Sequence, residues 1–164
     1  QIRFSTTYTK CDKFELTEVL LSRGQGTRVR RIDTMHQFKT LLVEDDPVFR
    51  GMLAELLSNE FPDILVYEAG DEASVLSQLD RSPPDVILMD IELPGKNGLV
   101  LTRTIKKIYP GIVIVIVSNY DLPEYRQAAF RQGADCYIPK SSASCVREIL
   151  ARVEGAMSKS FRFN

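Results

Sequence analysis

From Lys39 onward the apolar positions follow two alternating rhythms. Short β-prone runs stand at Thr40–Val43, Ile64–Tyr67, Val86–Met89, Ile112–Val117 and Cys136–Ile138. Between them apolar residues recur at helical spacing: Val48, Met52, Leu53, Leu56 and Leu57; Val75, Leu76 and Leu79; Leu99, Leu101, Ile105 and Ile108; Tyr125, Ala128 and Ala129. A last helix is predicted from about Ala143 to Met157, with Val146, Ile149, Leu150 and Val153 inward. Strands alternating with helices call for a parallel sheet covered on both faces, and the unbroken apolar runs Val86–Met89 and Ile112–Val117 suit its central strands. The expected fold is α/β: a doubly wound, five-stranded parallel sheet in the flavodoxin-like order 2-1-3-4-5, with helices on both faces.

The first residues lack this rhythm. Phe14, Leu16, Val19, Leu20 and Leu21 fit one face of a short helix, followed by a Gly-containing stretch and the basic run Arg28–Arg31. Residues 1–36 are therefore expected to be an N-terminal extension without a fold of its own, 37–158 the working domain and 159–164 a C-terminal tail. A compact version of the domain would start near Met35, which leaves two origins for the upstream residues, native sequence or a misplaced gene start.

Composition narrows the function classes. Hydrophobic content of 44% and charged content of 26% are those of a soluble globular protein. A net charge of −1 argues against a nucleic-acid surface spread over the whole chain. The longest apolar run is far too short to cross a bilayer, and no secretory signal pattern opens the chain. The three cysteines, Cys11, Cys136 and Cys145, include no CxxC pair and read as reduced thiols of a cytoplasmic protein. The single histidine, His36, has no neighbours that complete a zinc site.

In an open parallel sheet, ligands sit at the carboxyl ends of the strands, near the point where the winding reverses. At those ends this sequence places Glu44, Asp45 and Asp46, then Asp90, Ser118 and Lys140. Clustered carboxylates repel one another unless something neutralises them, and Mg²⁺, which prefers oxygen donors, does so. A carboxylate beside such a cation is a reasonable nucleophile for phosphorus, and a lysine and a hydroxyl can hold the remaining phosphoryl oxygens. Any one of these acids alone reads as a helix cap, and Asp46 before Pro47 suits that role. The joint placement carries the functional reading.

The same residues carry a resemblance. Leu41–Val43 with Glu44, Asp45, Asp46 and Pro47, the segment PDVILMDIELPGKNG at 84–98, Ile112–Ser118 and GADCYIPK at 133–140 resemble the receiver domains of two-component response regulators. The resemblance implies that Asp90 is the phosphoacceptor and that Asp45 ligates Mg²⁺ directly, with Glu44 as its partner. It further implies that the Glu92 backbone carbonyl is another metal ligand, Ser118 the switch hydroxyl, Lys140 the phosphoryl contact and Tyr137 the switch aromatic. It implies a cognate histidine kinase as donor, a changed surface on the fourth helix, fifth strand and fifth helix, homodimerisation on phosphorylation, and no catalysis beyond the domain's own phosphorylation and dephosphorylation. IPKSS around Lys140 is similar to receivers preceding LuxR-type helix-turn-helix domains, so the expected output is transcription regulation, with DNA reached only through a C-terminal domain not in this chain. The alternative is a stand-alone receiver acting through protein contacts. Lys140 is followed by Ser141, not by the proline common in the family, and Asn119 replaces the very small residue usual after the switch hydroxyl. Two other classes fit the residues less well. A haloacid-dehalogenase-type phosphatase needs an Asp nucleophile where this chain has Glu44, and an inert binding module has no need of the full residue set.

Overall fold

The computed structural model describes residues 6–11, 14–21, 28–33 and 37–160, with side chains in 37–160. The chain divides into two units, Gln1–Gln37 and Phe38–Asn164. In the first, strands β1 (Thr6–Cys11), β2 (Phe14–Leu21) and β3 (Arg28–Asp33) form an antiparallel sheet in the order β1-β2-β3. The helix expected over Phe14–Leu21 is thus a strand. FELTEVLL satisfies both periods, since Phe14 and Leu16 alternate with Glu15 and Thr17, and pairing along both edges of β2 selects the extended form. Met35, the expected start of a compact domain, and His36 lie outside the described residues.

The second unit alternates strand and helix: β4 (Lys39–Val43), α1 (Pro47–Glu60), β5 (Leu65–Ala69), α2 (Glu72–Arg81), β6 (Val86–Met89), α3 (Gly98–Ile108), β7 (Val113–Ser118), α4 (Pro123–Arg131), β8 (Cys136–Pro139) and α5 (Cys145–Ser160). All pairings are parallel and the sheet order is β5-β4-β6-β7-β8, which is 2-1-3-4-5 in the unit's own strand count. The period of two divides the core. Leu41, Val43, Ile87, Met89, Ile114, Ile116 and Tyr137 face one cluster, closed by Val75 and Leu79 of α2, Leu101 and Ile105 of α3 and Ala129 of α4. Their neighbours Leu42, Val86, Leu88, Val115, Val117 and Ile138 face the other, closed by Leu53 and Leu57 of α1 and Ile149 and Val153 of α5.

Three helices start on side-chain caps that also fix the loops around the sheet's carboxyl edge. Asp46 accepts from the Val48 and Phe49 amides at 2.8 and 3.4 Å, Asp71 from Ser74 at 2.8 Å, and Asn97 from Leu99 at 2.8 Å. No helix among the described residues is long and apolar enough to cross a membrane. Cys136 and Cys145 are free thiols.

One glycine is set by close approach. A Cβ on Gly98 would lie 1.9 Å from the Asp90 carbonyl oxygen and 2.9 Å from its carbon, both rigid backbone. Gly98→Ala is therefore expected to destabilise the unit by about 2–4 kcal/mol through forced backbone shifts. Gly51, with open space where its Cβ would go in mid-α1, supplies the contrast: Gly51→Ala should add about 0.5–1 kcal/mol. Urea denaturation of both variants checks the pair.

Candidate functional site

The winding reverses between β4 and β6, and the loops leaving their carboxyl ends define the site. Glu44 follows β4 and its amide donates to Ala69 O at 3.0 Å, while Asp90 follows β6 and its amide donates to Val43 O at 2.9 Å. Lys140 follows β8, with its amide on Ser118 O at 2.7 Å. Extended ladders therefore bring residues from three distant parts of the chain to one edge.

The side chains converge there. Carboxylate oxygens of Glu44, Asp45 and Asp90 all lie within 4.8 Å of one another. Glu44 and Asp90 are buried, at 4% and 3% exposure, whereas Asp45 is exposed. The Lys140 ammonium bridges the buried pair, 2.7 Å from Glu44 Oε2 and 3.0 Å from Asp90 Oδ2. The other Asp90 oxygen, Oδ1, accepts from the Ile91 amide at 2.6 Å. The Lys140 ammonium also stands 4.8 Å from the centre of the Phe49 ring, within cation–π range. These groups, with Glu92 and Asn119, line an open cleft of about 480 Å³.

The electrostatics reflect crowding. Burial pushes the Glu44 carboxyl above its ordinary value and the Asp90 charge adds to that, against the pull of Lys140. Burial would lower the Lys140 ammonium, but hydrogen bonds and charge from Glu44 and Asp90 outweigh it and raise the group. One ammonium thus faces three carboxylates. An excess of hard oxygen donors, one exposed and two reachable through an open cleft, fits a hard divalent cation.

The remaining predicted residues lie beside the cleft. Ser118 ends β7 fully buried, and its hydroxyl accepts from the Tyr120 amide at 3.3 Å. Tyr137, 3% exposed, donates its hydroxyl to the Tyr120 carbonyl at 2.5 Å. Burial raises its phenol, with the Ser118 hydroxyl pulling the other way. Glu92 is exposed, and its carboxylate accepts from the Tyr120 hydroxyl at 2.7 Å. That bond is the largest of the causes pushing the Tyr120 phenol up to about 12. Asp46 caps α1, as expected.

Sequence reasoning missed three supporting residues. Arg50 donates to Glu44 O at 2.5 Å and to Glu68 at 3.0 Å, tying the acidic loop to β5. Phe49 backs Lys140, and Tyr125 stacks on Tyr120. Arg50 falls one helical turn after Asp46, so its reach back to the loop was available from spacing. The two ring contacts depend on tertiary placement and left no sequence signal.

Comparison with known proteins agrees with this geometry. The model of the response regulator receiver domain matches residues 40–154. The chain belongs to the response regulator receiver family of two-component systems. Over 117 residues it is 33% identical to the DNA-binding transcriptional regulator NtrC of Klebsiella pneumoniae, covering 71% of this chain and 24% of that protein. It therefore spans about a quarter of the length of such relatives. Among solved structures it is similar to the receiver domain of NtrX from Brucella abortus, with TM-score 0.65, 29% identity and coverage of 73% of this chain and 98% of that one. It is also similar to a LuxR-family two-component response regulator from Aurantimonas, with TM-score 0.63, 31% identity and coverage of 71% and 85%.

Proposed function

We propose that Asp90 takes a phosphoryl group from a histidine kinase in a Mg²⁺-dependent reaction and that the acyl phosphate shifts the surface formed by α4, β8 and α5. The observation that carries this reading is a buried carboxylate paired to Lys140 with two further acids within 4.8 Å. Asp45, Glu44, Asp90 and the Glu92 backbone carbonyl would hold the cation. When bound, it would neutralise the carboxylates and the charge that develops on the phosphoryl oxygens. Lys140, already on Asp90 Oδ2, is placed to hold one phosphoryl oxygen, and the Ser118 hydroxyl would turn to another. An Asp90 oxygen forms the new bond to phosphorus as the bond to the donor nitrogen breaks, and the imidazole nitrogen keeps the electron pair. Tyr137 then takes up the space beside Ser118, and two pre-existing conformations exchange population.

On this reading the domain at 37–158 catalyses its own phosphorylation and dephosphorylation and nothing else, in the cytoplasm, with residues 1–36 an extension and 159–164 a tail. Its partners are the cognate kinase and, on phosphorylation, a second copy. The family's DNA-binding relatives and the IPKSS segment support a regulatory role in transcription through a domain beyond this chain. A stand-alone receiver acting through protein contacts is the alternative.

The test is incubation with Mg²⁺ and acetyl phosphate. A receiver gains one acid-stable, base-labile mark, a phosphatase releases phosphate steadily from many esters, and an inert module does neither. Asp45→Asn should remove the Mg²⁺ dependence and lower the labelling rate by about 10²-fold or more, because it deletes the exposed ligand and leaves the nucleophile. Rates measured across a Mg²⁺ titration check this.

A further inference from the structure

Asp45, the acid proposed to meet the cation directly, sits on the short loop between β4 and α1. The loop is tied down on either side of it. The Glu44 amide donates to Ala69 O at 3.0 Å, and the Asp46 carboxylate caps α1 through the Val48 and Phe49 amides. The peptide unit that joins Glu44 to Asp45 is held by Arg50, whose Nη1 donates to the Glu44 carbonyl at 2.5 Å. The Nε of the same guanidinium donates to Glu68 Oε2 of β5 at 3.0 Å. A guanidinium presents its donors in one rigid plane, so a single side chain can grip a carbonyl and a carboxylate together. The residues lining the acidic cleft include Asp45 but not Arg50. Arg50 can therefore reach the site only through the loop.

We infer that Arg50 is a positioning residue for the metal site: by clamping the Glu44 carbonyl to Glu68 of β5, it fixes the peptide before Asp45 and so the place of the Asp45 carboxylate. This rests on the reading of Glu44, Asp45 and Asp90 as a Mg²⁺ site. Mg²⁺ demands near-ideal octahedral geometry, and a group that orients one of its ligands contributes to affinity without touching the ion. Asp45 is the exposed member of the three acids, whereas Glu44 and Asp90 are buried. Backbone restraint therefore matters most at Asp45, where packing does least. Charge alone predicts the reverse of the clamp. Arg50 is a cation near a cluster that would bind a cation, so removing it should tighten Mg²⁺ binding if only its field mattered. Loss of the clamp weakens binding instead.

Mg²⁺ is titrated, without phosphodonor, into isotope-labelled wild type, Arg50→Met and Arg50→Lys, and the amide shifts of Glu44, Asp45 and Asp90 give the dissociation constants. Arg50→Met should bind about tenfold more weakly than wild type. Arg50→Lys keeps the charge but lacks the planar fork, and should bind roughly threefold more weakly. In labelling with acetyl phosphate, the Mg²⁺ concentration giving half the maximal rate should rise by the same factors. The rate at saturating Mg²⁺ should stay within about twofold of wild type, whereas general damage to the fold would lower it. Arg50→Met that binds Mg²⁺ as tightly as wild type, or more tightly, overturns the inference. So does an Arg50→Lys that matches wild type, which also decides the matter if Arg50→Met does not fold. A lowered saturated rate with unchanged half-saturation overturns it too. If wild type itself shows no Mg²⁺-dependent shifts, the metal-site reading falls and the inference with it.

Discussion

Asp90→Asn is expected to take up no phosphoryl group from any donor, while folding at least as stably as wild type. The first half follows from the missing nucleophile: an amide in the same place keeps the shape and loses the charged oxygen. The second half follows from the crowding. Glu44 and Asp90 are both buried, and the Asp90 charge is one of the causes that push Glu44 upward. Removing it leaves Lys140 its closer partner, Glu44 at 2.7 Å, and should raise stability by up to about 1 kcal/mol without added metal. The sign with pH is fixed. The folded state binds the Glu44 proton more tightly than the unfolded state, so this term favours folding at low pH and is lost as pH rises above 4.5 through the raised value. The stability gained by the variant should therefore grow as pH rises through that window. Thermal melts at several pH values, with labelling in parallel, check both halves.

Lys140→Met should do the opposite to stability and slow the chemistry without abolishing it. Lys140 has 11% side-chain exposure and its two partners 5% and 3%, so this is a buried ion pair. Taking away the cation ion-paired with Glu44 and Asp90 leaves buried charge poorly compensated, an effect of about 3 kcal/mol. Mg²⁺ should restore part of that loss, because it binds the same carboxylates in the folded state alone. Phosphoryl uptake should still fall by about 10²-fold, since the ammonium proposed to hold a phosphoryl oxygen is gone. Urea denaturation with and without Mg²⁺, beside labelling rates, separates the two effects. If stability is unchanged without metal, Lys140 does not neutralise the cluster in the way described.

Much of the receiver unit was readable because its two periods are unambiguous. Val86–Met89 and Ile112–Val117 have no polar position to make them amphipathic helices, and each ends at a residue with chemistry, Asp90 or Ser118. The strand order then brings those ends together, so the cluster followed from topology before any distance was known. Phe14–Leu21 misled for the converse reason: its apolar residues fit both periods, and only pairing with β1 and β3 decides between them. The Tyr120–Tyr125 stack, the Phe49–Lys140 contact and the Gly98 contact with the Asp90 carbonyl join residues whose spacing has no period to read. They arise from how α1, α3 and α4 sit on the sheet, which a single sequence does not encode locally.

The most direct measurement is the position of the phosphoryl group on wild-type protein after reaction with Mg²⁺ and acetyl phosphate, mapped by reducing the acyl phosphate with borohydride and sequencing the peptides by mass spectrometry. A single modification, at Asp90 and dependent on Mg²⁺, is the predicted result. Modification at Asp45, Glu44 or His36 with Asp90 untouched would contradict it.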